Sequence, residues 1–133
     1  MKRALDLTSM KKILVVGMNP SNTPNTTGLH KKNTTFDRLS KWFSYSGVQY
    51  FSFVNTTDKR GEIKPADIDW DTLKLCLEGH TKIIALGGFA SSALRRLNIE
   101  HHILPHPSPR NRKFNDASFE PMVMKELKRY IRK

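Results

Sequence analysis

Two short aliphatic runs that each end in glycine, KKILVVG at 11–17 and TKIIALGG at 81–88, constrain the fold most. Unbroken Ile, Leu, Val and Ala over so few residues read as strands buried on both faces, which is the signature of a parallel sheet. Parallel neighbours need long crossovers, usually helical. The segments between the runs fit that need. NTTFDRLSKWFSYSG (33–47) opens with capping residues, sets Phe36, Leu39 and Phe43 at helical spacing, and stops at Gly47. VQYFSFVN (48–55) is aromatic and β-branched and reads as a strand, followed by the polar loop TTDKRGEIKP. DWDTLKLCLEG (69–79) is a helix with an acidic first turn and a terminal Gly. FASSALRRLN (89–98) is a helix, and EHHILP (100–105) a fourth strand. Ser118 is placed to cap a last helix reaching Arg132, with Val123, Leu127, Tyr130 and Ile131 on one face. Pro121 is tolerated there because it falls in the first turn.

The order β-α-β-α-β-α-β-α predicts a three-layer α/β/α domain around a four-stranded, mostly parallel sheet. A chain of 133 residues is long enough for one conventional core, and no repeat or low-complexity tract divides it, so 1–133 is read as a single domain. The longest aliphatic run, Ile13–Val16, is four residues against the roughly 20 of a membrane span. The N-terminal stretch MKRALDLTSM lacks the apolar core of a secretory signal. Cys76 is alone, which excludes an internal disulfide and fits a reducing compartment; its setting, LKLCLEG, reads as core packing. An intracellular protein, cytoplasmic or nucleoid-associated, is expected.

Charge narrows the partner. Twenty-three Lys and Arg against twelve Asp and Glu give +11, an excess that points to a polyanion, most commonly nucleic acid. The bases are dispersed, at Lys2/Arg3, Lys11/Lys12, Lys31/Lys32, Arg95/Arg96, Arg110/Arg112/Lys113 and 125–133, which suits a folded basic face better than a disordered tail.

In open α/β sheets ligands bind outside the carboxyl ends of the strands. The residues there are Gly17–Ser21, Asn55–Thr57, Gly87–Gly88 and Pro105–Arg112. In GMNPS (17–21), Gly17 permits a sharp turn, Pro20 fixes φ after Asn19, and Asn19 offers a carboxamide that donates and accepts but is no strong base. Alone this is ordinary turn chemistry. LPHPSPRNR (104–112) is more specific. Pro105, Pro107 and Pro109 restrict the backbone around His106 and Ser108, so a histidine is presented with little freedom left to lose. A fixed imidazole can hydrogen-bond an anion that forms during a reaction. Arg110 and Arg112 can meet phosphates. Other readings stay open at this point: a structural loop, a polyproline-type ligand for a partner domain, or metal binding through His101, His102 and His106. The last lacks accompanying Cys or paired carboxylates. No G-x-S-x-G elbow, P-loop or GxGxxG follows any strand.

With both stretches in view, ILVVGMNPS after the first strand and HPSPRN after the fourth resemble the two signature motifs of the uracil-DNA glycosylase superfamily. GMNP and HPSPRN are closest to its single-strand-selective monofunctional branch. GMNPS followed by NTTFDRLSKW is similar to the mismatch-specific uracil/thymine branch. The order and spacing, the strand ending VN at Asn55 and the ALGGFA strand end also fit, so the resemblance covers roughly residues 11–130. It implies a monofunctional hydrolase that flips uracil or a modified uracil out of single- or double-stranded DNA and cleaves its N-glycosidic bond. It implies a monomer with no metal or cofactor.

By the same resemblance, Asn19 would orient the attacking water and His106 would stabilise the departing base at O2. Gly17, Met18, Pro20 and Asn55 would bind the flipped base, with Asn55 reading its edge. Ser21 and Ser108 would hold phosphates; Pro109, Arg110 and Asn111 would wedge into the duplex; Gly88 and Arg112 would complete the DNA-contacting set. The family places a stacking aromatic between GMNPS and the following helix. Here NTPNTTGLHKK has neither Phe nor Tyr, which leaves Leu29, His30 or Phe36 for that place, and Ser21 stands where the nearest branches carry Gly. Two alternatives follow from these departures: a catalytically silent DNA-binding protein on this fold, or an enzyme that modifies a base or nucleotide in the same pocket.

Overall fold

In the first strand, Ile13 and Val15 face one side of the sheet while Leu14 and Val16 face the other, and all four are buried. The third strand alternates likewise, Ile84 and Leu86 against Ile83 and Ala85. Period-two alternation with nothing but apolar residues demands helices on both faces. The computed structural model, which describes residues 12–20, 34–107 and 111–133, provides them.

The chain runs β1 (Ile13–Gly17), α1 (Thr34–Tyr45), β2 (Ser52–Asn55), α2 (Trp70–Leu77), β3 (Lys82–Leu86), α3 (Gly87–Arg96), β4 (His102–Leu104) and α4 (Phe119–Arg132). Short 3-10 turns cover Pro65–Asp67 and Arg112–Asn115. All strand pairings are parallel, in the order β2-β1-β3-β4. The expected "mostly parallel" sheet is thus parallel throughout. One face packs Leu39, Trp42 and Phe43 of α1 and Val123, Leu127 and Ile131 of α4. The other packs Leu73 of α2 and Ala90, Ala93 and Leu94 of α3, with Cys76 partly buried at its margin.

Local departures have local causes. Helix α3 begins two residues earlier than expected because Gly87 adopts φ +84, a left-handed conformation that turns the strand straight into the helix. Helix α2 is capped by Asp69, whose side chain accepts from the Thr72 N–H at 3.1 Å. Ser118 does not cap α4. Its backbone is already helical, and its N–H and hydroxyl both donate to the Asp116 carboxylate, at 2.9 and 2.8 Å. Strand β4 is only three residues long and pairs no earlier than Ile84. Ile83, one step before, finds its partner in the Tyr130 hydroxyl, which accepts from its N–H at 3.2 Å and donates to its carbonyl at 3.1 Å. A side chain of α4 therefore does for Ile83 what a longer edge strand would have done.

Candidate functional site

With the order β2-β1-β3-β4, successive strands are added in opposite directions on either side of the β1–β3 boundary, and a ligand crevice is expected beyond the carboxyl ends of these two strands. Gly17–Pro20, Asn55–Thr57, Gly87–Gly88 and Pro105–Pro107 all lie at that end. Gly17 and Asn55 are direct partners in the register of β1 and β2.

Gly17 is required by closeness. A Cβ built there would fall 2.7 Å from Asn55 Oδ1 and 2.7 Å from Phe53 Cζ. The missing side chain is the space that Asn55 and Phe53 occupy. Phe53 in turn meets the ring of Phe36 edge-on, with centroids 5.0 Å apart. Residues 53 and 55 share a face of β2 by strand periodicity, so the carboxamide and the aromatic pair stand together. Phe36 is 37% exposed, leaving ring surface open to a ligand. Of the three candidates for a stacking residue, Leu29 and His30 lie outside the described residues.

Asn19 has a geometry that its motif did not announce. Its Nδ2 donates to the carbonyls of Lys59 at 3.0 Å and Gly61 at 2.7 Å. The orientation of the amide follows, since only the nitrogen can face two carbonyls. Both amide hydrogens hold the loop after β2, and what remains of the side chain for chemistry is the acceptor Oδ1. A second tie reinforces the first. Thr56, fully buried, donates its N–H to the carbonyls of Gly17 (2.9 Å) and Met18 (3.1 Å), and its hydroxyl to Met18 as well. The ends of β1 and β2 are thereby locked side by side, with Met18 and Pro20 half-buried between them.

His106 follows β4 between Pro105, half-buried, and Pro107, buried. The residue as a whole is exposed, yet the protein around its ring removes enough hydration to hold its pKa below the ordinary 6.5. At neutral pH the shift therefore favours the uncharged imidazole. Asn111 turns back on the same loop: its Nδ2 donates to the His106 carbonyl at 3.1 Å and its Oδ1 accepts from the Lys113 N–H at 3.2 Å. Arg112 is exposed at the start of the following 3-10 turn. Ser21, Ser108, Pro109 and Arg110 lie outside the described residues. Gly88 is exposed and lines a cavity of about 340 Å³ between β4 and α4, together with Ile103, Pro105, Lys113 and Met122. Asn19, Asn55 and His106 are not among its walls.

A second histidine imitates a catalytic pair. His101 sits 2.7 Å from Ser91 Oγ through Nε2, and its Nδ1 is 2.7 Å from the Ile99 carbonyl, which fixes the proton on Nδ1. Ser91 is fully buried inside α3, so no substrate reaches it, and the pair is a satisfied core contact. Among the described residues no three of His, Cys, Asp and Glu gather as a metal site. No described helix is long and apolar enough to cross a membrane. Compared with known protein families and with curated proteins, the chain finds no match in either.

Some of the site carries no local mark in the sequence. Phe53 looks like an ordinary strand residue, Thr56 is marked only by its place just after a strand end, and the Lys59 and Gly61 carbonyls are invisible to any motif. The one available signal for Phe53 is its position two residues before Asn55, on the same strand face.

Proposed function

We propose that this protein is a monofunctional DNA glycosylase that hydrolyses the N-glycosidic bond of uracil, or a modified uracil, flipped out of DNA. It acts as a monomer inside the cell, free or nucleoid-associated. The observation that carries this reading is the joint placement of Gly17, Asn19, Asn55 and His106 at the carboxyl ends of parallel strands, with an open aromatic edge beside Asn55. A base within the stack is out of reach and must be extruded, at a cost of a few kcal/mol. The extruded pyrimidine stacks against Phe36 and Phe53, and the Asn55 carboxamide pairs with its O4 and N3–H. The C1′–N bond breaks with its electron pair on the base, and the neutral His106 donates to O2 where that charge collects. Water adds to C1′, held by the acceptor Oδ1 of Asn19, and its proton passes to solvent or to the departing base. Removing one such donor from a developing anion costs about 10²–10³ in rate. The excess of basic residues supplies the phosphate contacts.

One observation favours the silent DNA-binding alternative: both amide hydrogens of Asn19 serve the loop at 59–61, a structural employment that needs no catalysis. Alkali-induced scission separates the two. Labelled single- and double-stranded oligonucleotides carrying uracil, 5-hydroxymethyluracil or a normal base are incubated with wild type, Asn19→Ala and His106→Ala. Base-dependent scission that both substitutions slow by about 100-fold or more supports the glycosylase. Tight, salt-sensitive binding without scission of any substrate rejects it in favour of the silent protein.

A further inference from the structure

We infer that Arg38 is a positioning residue for His106, acting through the loop backbone rather than by touching the substrate; this rests on the glycosylase reading of His106. An exposed histidine on a loop beyond an edge strand is a poor device for stabilising an anion, because such donors must be held to within about 0.5 Å. Pro105 and Pro107 fix φ, but not the tilt of the peptide planes. Among the described residues, Asn111 and Arg38 act on that tilt. Asn111 Nδ2 holds the His106 carbonyl at 3.1 Å, and Arg38 Nη1 donates to the Pro107 carbonyl at 3.4 Å. Asn111 belongs to the same loop and travels with it. Arg38 comes from α1, on another part of the fold, and so ties the loop to the body of the protein.

A 3.4 Å hydrogen bond is long, and alone it would hold little. The guanidinium is fixed independently. Its Nε pairs with Glu120 at 3.3 Å, and it lies over the Phe114 ring with 4.1 Å to the centroid. Glu120 accepts from Trp42 Nε1 at 2.8 Å, and Trp42 is completely buried. A continuous path therefore runs from the core through Trp42, Glu120 and Arg38 to the Pro107 carbonyl. The same turn of α1 carries Phe36 against Phe53, so one helix end sets both the aromatic wall and the histidine loop.

The test is a double-mutant cycle with uracil-containing oligonucleotides, joined to NMR of the His106 ring. Arg38→Met keeps the aliphatic stem and removes the fork; Arg38→Lys retains a charge for Glu120 and serves where the first variant folds poorly, as judged by thermal melts. Misplacing a reacting group by about 1 Å costs up to about 100-fold, so kcat falls about 10- to 100-fold with KM changed by less than about twofold. In a His106→Ala background the same substitution costs no further kcat. The His106 ring resonances shift and broaden in both Arg38 variants. Equal losses in the two backgrounds, a rise in KM alone (a direct phosphate contact), or unchanged His106 resonances overturn the assignment. If wild type excises no base, the glycosylase reading fails, and the resonances still decide whether Arg38 sets the histidine.

Discussion

Gly17→Ala is the sharpest perturbation this structure offers, because nothing but steric closeness distinguishes the two residues there. The added methyl would fall 2.7 Å from Phe53 Cζ and from Asn55 Oδ1, and 3.4 Å from Phe53 Cε1. Carbon atoms rest at about 3.5–4.0 Å, so the ring must retreat by roughly 1 Å. Phe36 blocks part of that retreat, with its centroid 5.0 Å away. Overpacking of this kind costs about 1–3 kcal/mol. At roughly 4 °C per kcal/mol for a domain of this size, Tm falls by about 4–12 °C. Thermal and urea melts on wild type, Gly17→Ala, Phe53→Leu and the double variant measure it. Phe53→Leu shortens the obstructing side chain, so the double variant is more stable than the sum of the single losses by about 1 kcal/mol or more. The side-chain amide resonances of Asn55 move in Gly17→Ala and return toward wild type in the double variant. A Gly17→Ala protein that melts within about 1 °C of wild type, with additive losses in the cycle, would refute the packing at the end of β1.

Three further outcomes are expected. Tyr130→Phe leaves the N–H and carbonyl of Ile83 without their partner and costs about 1–3 kcal/mol in urea denaturation; a loss below about 0.3 kcal/mol shows that water replaces the hydroxyl. Loss of hydration lowers the folded-state pKa of His106 and His102, so the unfolded chain binds more protons between those values and 6.5. Stability is therefore complete above about pH 6.5 and lost as pH falls through the folded pKa values, and urea midpoints drop between pH 7.5 and 5 by less in His106→Gln than in wild type. Asn19→Asp turns a carboxylate on two carbonyl oxygens and costs about 1–3 kcal/mol at neutral pH. Because that carboxyl is easier to keep neutral when folded, its protonation offsets part of the loss that the histidines impose, so the variant loses less stability on acidification than wild type, and circular-dichroism melts of both at pH 4.5 and 7.5 read the difference.

The order of elements was legible because β1 and, after Lys82, β3 are apolar throughout, a pattern that a parallel sheet covered on both faces accommodates. Segment ends were less so. Gly87 reads equally well as the end of a strand, and only its positive φ makes it the first residue of α3. Ser118 has the right chemistry for a cap, but Asp116, two residues earlier, competes for its hydroxyl. Strand β2 is shorter than its aromatic run suggested because Phe51 lies outside the ladder and stacks on Phe43, centroids 4.5 Å apart. Packing, not propensity, decides the fate of those residues.

The site shows the same division at higher stakes. Gly17, Asn19, Asn55 and His106 could be picked out because each directly follows or ends a strand, and topology alone brings strand ends together. What each does once there depends on partners far away in sequence. Asn19 is oriented by carbonyls 40 and 42 residues on, and the loop of His106 by an arginine 69 residues back. Backbone carbonyls carry no residue identity, so no spacing of letters reports them. The consequence bears on how such a site can change. Substituting Lys59 leaves its carbonyl in place, whereas Arg38 and Glu120 contribute through their side chains, and replacing either removes the contact outright. A substitution at Phe36 is therefore coupled to the histidine loop through the turn of α1 that it shares with Arg38, and a Phe36 variant that shifts the helix end moves the His106 resonances even though the two residues belong to different elements.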